Sequence, residues 1–567
     1  MTTRFVELLS ILYDAPVAEA TGRAIEDRLK RASVPSKRPE AWHASDVIFI
    51  TYADAIQAEG ESPLRTLHRF LQQRLSGLIA QVHLLPFFPY TSDDGFAVSD
   101  YRELAAGLGT WEDIRALSED HELMFDLVIN HASSAHPLFQ DFLSDRPPGN
   151  RYFLTASADQ DVSGVTRPRA SPLLQTFETA KGPQQVWCTF SRDQVDWDFT
   201  NPDVLLEFVD LFVGYMERGA TWVRMDAIAY LWKELGTDCV HRPQTHAVVK
   251  LFRLIAHTLS SDIKILTETN VPLPENLRYF GNGDEAHIIY NFSLPPILVH
   301  ALVTGSGACL TDWCRSLPAA PEGCTYLNFT ASHDGIGIRP AEGILTEPQI
   351  RELTDCIQDF GGRINQRQRP DGTLGPYEAN IALFDALKGT VAGEDGWQVE
   401  RFLLSQGLMM ALAGVPAIYY NSVLAAPNNL EGMAETGRNR TINRRKWTQG
   451  EVADRLAEAD GTPHRVLSGL QQMLGARIQI SAFHPEAPQQ CVIADDRVFV
   501  LLRTCPTSAQ QILCLFNLTK EPVELDKSAL RLDADVAITE RYVRGDVNNT
   551  QRTVSLSPYA MGWLELD

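Results

Sequence analysis

The chain is short of positive charge, of paired cysteines and of long apolar runs. Its 567 residues carry 50 Lys and Arg against 72 Asp and Glu, a formal charge of −22. That deficit argues against nucleic acid and anionic membranes as partners. Small anionic ligands stay open, because local arginines decide those. Nine cysteines are scattered, odd in number and without a CxxC pair. They read as reduced thiols of a cytoplasmic protein, not as a disulfide framework or a zinc site. No stretch reaches the ~20 apolar residues that cross a bilayer. The opening MTTRFVELLSILYDAPVAEA, broken by Glu7 and Asp14, reads as an amphipathic helix and a poor signal peptide. Nucleotide, flavin and metal motifs are missing, so neither cofactor nor metal is expected. No repeat or low-complexity tract stands out.

What is present is an alternation. Near-continuous apolar runs at 47–56, 81–90, 123–131, 221–229, 263–269, 287–293, 325–334 and 414–424 have the character of parallel strands buried on both faces. Amphipathic helices lie between several of them. One covers 202–219 with Leu205, Phe208, Val209, Phe212, Tyr215 and Met216 on one stripe, and another covers 243–260, opened by Pro243. Eight such units predict an α/β fold, a (β/α)8 TIM barrel. The chain is too long for one core. Residues 1–45 read as a charged helical extension. Residues 46–131, 201–334 and 398–475 make the barrel, and 132–200 and 335–397 are an inserted domain and an inserted lid. Residues 476–567, with runs at 497–504, 510–519 and 553–566, predict a C-terminal antiparallel β-sandwich.

Three acidic residues stand at the ends of strand-like runs: Asp226 in WVRMDA, Glu268 in KILTETN and Asp334 in TASHDGIG. A carboxylate at the tip of a buried strand is costly without partners, and opposed carboxylates are the equipment of glycoside cleavage. Arg224, two residues before Asp226, points to the same side and favours an ionised nucleophile. A plain buried ion pair is the alternative. Glu268 in a partly apolar pocket suits a general acid, or is a strand-end Glu reaching solvent. Gly335 and Gly337 after His333-Asp334 allow a tight turn and close approach of a substrate. His131 alone reads as readily as a core histidine.

The joint order DxxxNH, RxDA, strand-end Glu and HD resembles the α-amylase superfamily of glycoside hydrolases and transglycosylases. The resemblance implies that Asp226 is the nucleophile, Glu268 the acid/base and Asp334 the transition-state stabiliser. The two carboxyls would sit about 5 Å apart and configuration would be retained. His131, Arg224 and His333 would be further contacts to the glucosyl unit.

From residue 46 onward the chain is similar to the sucrose phosphorylase branch. SDDGFAVSDY implies Asp93 and Phe96 as clasps on the glucose, Phe96 offering a ring face. VTRPRASPL implies Arg169 for phosphate. VWCTFSRDQVDWDFTNP implies Phe190 and Gln194 near the site, and GRNRTINRRKW implies Arg440 on the glucosyl unit. Asn270 stands where sucrose phosphorylases carry His. With YLWKELGTDCVHRPQTH and the N-terminal extension, it looks most like the glucosylglycerate phosphorylases of the branch. The resemblance implies phosphorolysis of an α-glucoside, with small-molecule partners only. Sucrose, sucrose 6′-phosphate and glucosylglycerol are the alternative substrates. An anionic acceptor would call for a cation, with Arg339, Lys233 and His246 as candidates. A hydrolase and a catalytically dead sugar-binding barrel are the readings of other classes. Asn130 stands where some amylases hold calcium, but the branch implies no metal.

Overall fold

The computed structural model describes residues 2–34, 42–157, 159–169, 171–369 and 373–566. Its eight apolar runs form eight parallel strands that close into a barrel. In chain order they are Ile48–Thr51, Gln81–Leu84, Glu122–Val128, Ala220–Asp226, Lys264–Thr267, Ile288–Tyr290, Thr325–Phe329 and Val415–Tyr419. Each pairs with its neighbours in chain order, and the eighth closes on the first with Ile48 opposite Ala417. The fourth strand is buried at all seven positions, because helices cover one face and the barrel interior the other. Those helices begin where their sequences say. Asn201 caps Pro202–Glu217 by accepting from the Asp203 N–H, and Pro243 opens Pro243–Leu259.

Two long excursions sit at the C-terminal end of the barrel, where active sites of this architecture form. After the third strand come the pair His131–Ser133 and Gln194–Asp196, the helix Pro137–Leu143 and a three-stranded antiparallel sheet. After the seventh come the helix Glu347–Asp359 and a hairpin of Arg363–Gln368 with Leu374–Asn380. The polar PDGTLGPYE stretch, read as lid, has its first three residues outside the description, and its end is the second hairpin strand. Residues 35–41 of the N-terminal extension also lie outside the description. The rest forms the helices Thr2–Leu9 and Ala15–Arg31. Arg28 ties the second of them to Asp210 and Glu217 on the helix after the inserted segment, at 2.7 and 2.9 Å.

The last part of the chain forms a five-stranded and a three-stranded antiparallel sheet. Val498, Val500, Leu513 and Leu515 of one pack with Val523, Leu525, Val554 and Leu556 of the other. The run 553–566 is two strands, not one. It turns at Tyr559, whose φ is +49°, so Thr553–Leu556 joins the small sheet and Met561–Leu566 the large one. Among the described residues no helix is long and apolar enough to cross a membrane.

Arg477 joins the parts. It is fully buried at the end of the helix Thr462–Arg477 and donates to the carbonyls of Met410 and Phe483 at 3.1 Å, and to that of Ala44. Burial pushes its guanidinium down to about 9, with Arg503 adding to the fall. Arg477→Met leaves those carbonyls without their donor. It is expected to lower unfolding stability by about 2–4 kcal/mol in urea titration.

Candidate active site

The site is built on a buried charge. Arg224 lies inside the barrel with its side chain 2% exposed. Its Nη1 donates to Asp226 Oδ1 at 2.7 Å and to Asp126 Oδ1, while Asp126 Oδ2 meets His83 Nε2 at 2.7 Å. Arg224 Nη2 stands 3.9 Å from Glu268 Oε2. A guanidinium taken this far from water stays charged only with anions at hand, and two touch it while a third lies close. Burial works against ionised Asp126, but Arg224 and His83 hold its carboxyl below the usual range.

Asp226 and Glu268 behave differently. Burial pushes Asp226 well up; Arg224 opposes this, and the charges of Glu268, Asp126 and Asp334 add to it. Burial also raises Glu268, with Arg224 and the Ala227 N–H opposing and Asp334 adding. Two carboxyls so placed do not both ionise at little cost. Hydrogen bonds decide where the charge rests. Asp226 takes the direct guanidinium contact, which favours the carboxylate there. Glu268 has only the backbone N–H of Ala227, at 2.9 Å on Oε2. These contacts favour the carboxylate on Asp226 and the proton on Glu268, against the stronger upward push of burial on Asp226. Ala227 reaches that oxygen because its backbone is left-handed, φ +53°. For a residue with a Cβ this is strained geometry, held in place at the site.

Asp334 stays ionised. Burial would raise it, but the charges of Arg440 and Arg444 pull it far below the usual range. Arg440 Nη1 is 2.7 Å away and Arg444 Nη2 3.7 Å. Arg440 is aimed from behind by Glu378, 1% exposed, which accepts from its Nε and Nη2 at 3.1 and 2.6 Å. His333 is buried, which pushes its imidazole down to about 3 and keeps it neutral.

One enclosed pocket is lined by Asp226, Glu268, Asp334, Asp93, Phe96, His131, Arg169, Phe190, Gln194, His333 and Arg440, together with Ala227, Asn270 and Tyr377. Of the catalytic, glucosyl and phosphate candidates from sequence, only Arg224 is not in the lining; it lies beneath, against Asp226. The pocket continues into a funnel of about 570 Å³. Phe96 has one face taken: its ring stacks on His333 at 4.8 Å, nearly parallel. Burial keeps His131 down and neutral, with its Nε2 3.0 Å from the Phe96 carbonyl. Arg169 pairs with no carboxylate among the described residues. Its guanidinium stands 5.6 Å from the Tyr377 ring centre and 6.0 Å from that of Phe190.

Several functional side chains escaped the sequence reading. Glu378, Tyr377 and Arg444 sit in polar segments with no pattern of their own. Asp126 did leave a signal, an acid inside the apolar strand LMFDLV. Lys233, a candidate for the acceptor side, is not available there. Its side chain is 4% exposed, and its Nζ lies 2.7 Å from Asp196 Oδ2 and from Asn130 Oδ1. An ammonium thus stands beside Asn130, where calcium was weighed. Among the described residues no group of three or more His, Cys, Asp or Glu is placed to hold a metal. His246 is turned to Glu285 at 2.7 Å and is not in the pocket lining. The two glycines after Asp334 make room for the protein itself. A Cβ on Gly335, φ +90°, would meet the Ala379 carbonyl at 2.5 Å, and one on Gly337 would meet Asn270 Oδ1 at 2.8 Å.

Known proteins share both sequence and architecture. The model of the α-amylase catalytic domain matches residues 76–311. The glucosylglycerate phosphorylase of Spirochaeta thermophila is 42% identical over 99% of this chain and 98% of its own. The sucrose phosphorylase of Bifidobacterium adolescentis is 28% identical over 77% of this chain and 86% of its own. The crystal structure of sucrose 6F-phosphate phosphorylase from Thermoanaerobacter thermosaccharolyticum superposes with a TM-score of 0.73 at 23% identity, covering 85% of this chain and 96% of that one. The chain belongs to the α-amylase superfamily, in the branch that holds the glucosylglycerate and sucrose phosphorylases.

Proposed function

We propose that the protein is a retaining glycoside phosphorylase that converts 2-O-α-glucosyl-glycerate and phosphate into α-glucose 1-phosphate and glycerate. The glucosyl unit sits in the enclosed pocket with its anomeric carbon over Asp226. The Asp226 carboxylate attacks that carbon as Glu268 gives its proton to the glycosidic oxygen, and glycerate leaves. A β-glucosyl ester remains on Asp226. Phosphate enters on the face that glycerate left and attacks the same carbon, while the Glu268 carboxylate takes its proton. Two inversions give net retention. Asp334, oriented by Arg440 and Arg444, holds sugar hydroxyls, and His131 and His333, both neutral, add further contacts.

The observation that carries phosphorolysis over hydrolysis is Arg169. It is a cation in the pocket lining that pairs with no carboxylate among the described residues and is steadied by two aromatic rings. An open guanidinium there offers a phosphate dianion fixed donors that water does not need. The acceptor assignment is supported by the near full-length relative named for glucosylglycerate and by Asn270 in the pocket. The partners are then small molecules, the glucoside and inorganic phosphate. Nine cysteines, all free, fit a reducing cytoplasm.

Asp226→Asn is expected to lower turnover by about 10⁴-fold with an unchanged fold by circular dichroism. Phosphorolysis near the wild-type rate in that variant would remove Asp226 as nucleophile. Glu268 must be protonated for the first step, and its pKa is raised. Activity is therefore expected to persist above the pH at which an ordinary Glu ionises, and to fall as pH rises through the raised value. Glu268→Gln should lose that limb in a kcat/KM profile, yet still use α-glucosyl fluoride, whose leaving group needs no acid. Incubated with phosphate and a panel of glucosides, the protein should release glucose 1-phosphate from glucosylglycerate in preference to sucrose, sucrose 6′-phosphate and glucosylglycerol. Activity confined to sucrose would overturn the acceptor, and phosphate-independent free glucose would mark a hydrolase.

A further inference from the structure

A second cavity of about 700 Å³ is lined by residues 162–167 and 172–174 of the first excursion, by Arg339 of the loop after the seventh strand, and by Arg367 and Arg369 of the hairpin. Among the described residues its lining gathers four arginines and no acidic residue, in a chain whose net charge is −22. Three of the four have one carboxylate each outside the lining: Arg339 with Glu275 at 3.5 Å, Arg367 with Glu342 at 2.8 Å and Arg369 with Glu347 at 3.1 Å. Arg167 has none among the described residues, and burial alone lowers its guanidinium. Nε and Nη2 of Arg167, Nε of Arg339 and Nε of Arg367 are buried without a hydrogen-bond partner. Buried donors with no acceptor are costly. Four cations converging on one cavity also repel one another, which the three carboxylates outside the lining only partly offset, and an anion relieves both.

Segments that line this cavity also carry residues of the catalytic pocket. Arg167 is two residues from Arg169. Tyr230, buried, feels the charges of Arg339, Glu268 and Arg169 together. Gly337 and Arg339 share one loop, and Gly337 abuts Asn270. In glucosylglycerate the carboxylate hangs on the carbon that bears the glycosidic oxygen. Its cation must therefore lie beyond Glu268, on the side away from the glucose.

We propose that this cavity is the anion subsite for the acceptor, with Arg339 and Arg167 holding the carboxylate of glycerate. This rests on the glycerate reading above and adds the residues that would enforce it. A guanidinium pair suits a carboxylate, and a neutral acceptor such as glycerol would leave the arginines unsatisfied, which is how a polar site rejects an analogue.

The test uses full-length Arg339→Gln and Arg167→Gln. Two rates are compared in each: glucosyl transfer from α-glucose 1-phosphate to glycerate, and exchange of labelled phosphate into α-glucose 1-phosphate, which involves no acceptor. The ratio of transfer efficiency to exchange is expected to fall about 10- to 100-fold, through the KM for glycerate. Arg167→Gln breaks no ion pair, so it tests the subsite even if Arg339→Gln folds poorly. An unchanged ratio in Arg167→Gln, or equal loss of transfer and exchange, would overturn the proposal. Wild-type protein that exchanges phosphate yet does not glucosylate glycerate would instead overturn the acceptor reading, and this subsite with it.

Discussion

Arg224 is the constraint on which the site depends. A guanidinium in the interior of a closed barrel is tolerable only while Asp126 and Asp226 neutralise it, so its presence dictates where the carboxylates stand. It also sets apart the two carboxyls to which we assign attack and protonation. Asp226 receives the direct contact, which favours its carboxylate. Glu268, held by a backbone N–H from a strained Ala227, is left with the proton. Attack and protonation need those two opposite states at one pH. His83 extends the chain of contacts down the barrel through Asp126, so residues outside the pocket lining still fix Asp226, the proposed nucleophile.

Around that fixed floor the walls come from elsewhere. The first excursion gives His131, Arg169, Phe190 and Gln194. The hairpin after the seventh strand gives Tyr377, with Glu378 behind it, and the segment 437–445 gives Arg440, with Arg444 beside Asp334. Glu378 couples the hairpin to the floor, because it aims Arg440 at Asp334. The glycine at 335 is obligatory in this arrangement, since the hairpin strand lies against its Cα. In the proposed mechanism bond cleavage belongs to the strand ends, and the choice of what enters and leaves to the excursions that carry arginines.

Much of this was legible in the amino acids. Strands buried on both faces need uninterrupted apolar residues, so all eight were readable as runs, and an acid at the end of such a run is conspicuous for its cost. The remainder was hidden for a physical reason. Glu378, Arg444 and Tyr377 lie in polar segments where charge is the ordinary expectation, and only the folded chain brings them beside Asp334. Lys233 misled because its neighbours in sequence are loop-like, while its ammonium is drawn into the barrel rim by Asp196 and Asn130. The glycines after Asp334 let the hairpin and Asn270 approach closely. The run 553–566 hid a turn because its residues on both sides suit strands.

The central claim is a glucosyl ester on Asp226 that phosphate, rather than water, resolves. It is tested most directly by trapping that ester in the intact protein with a slow-turnover fluorinated α-glucosyl fluoride, mapping the labelled peptide by mass spectrometry and then following loss of the label. The account predicts a label on Asp226 whose loss accelerates steeply with phosphate concentration. A label on another carboxylate, or a rate of loss indifferent to phosphate, would contradict it.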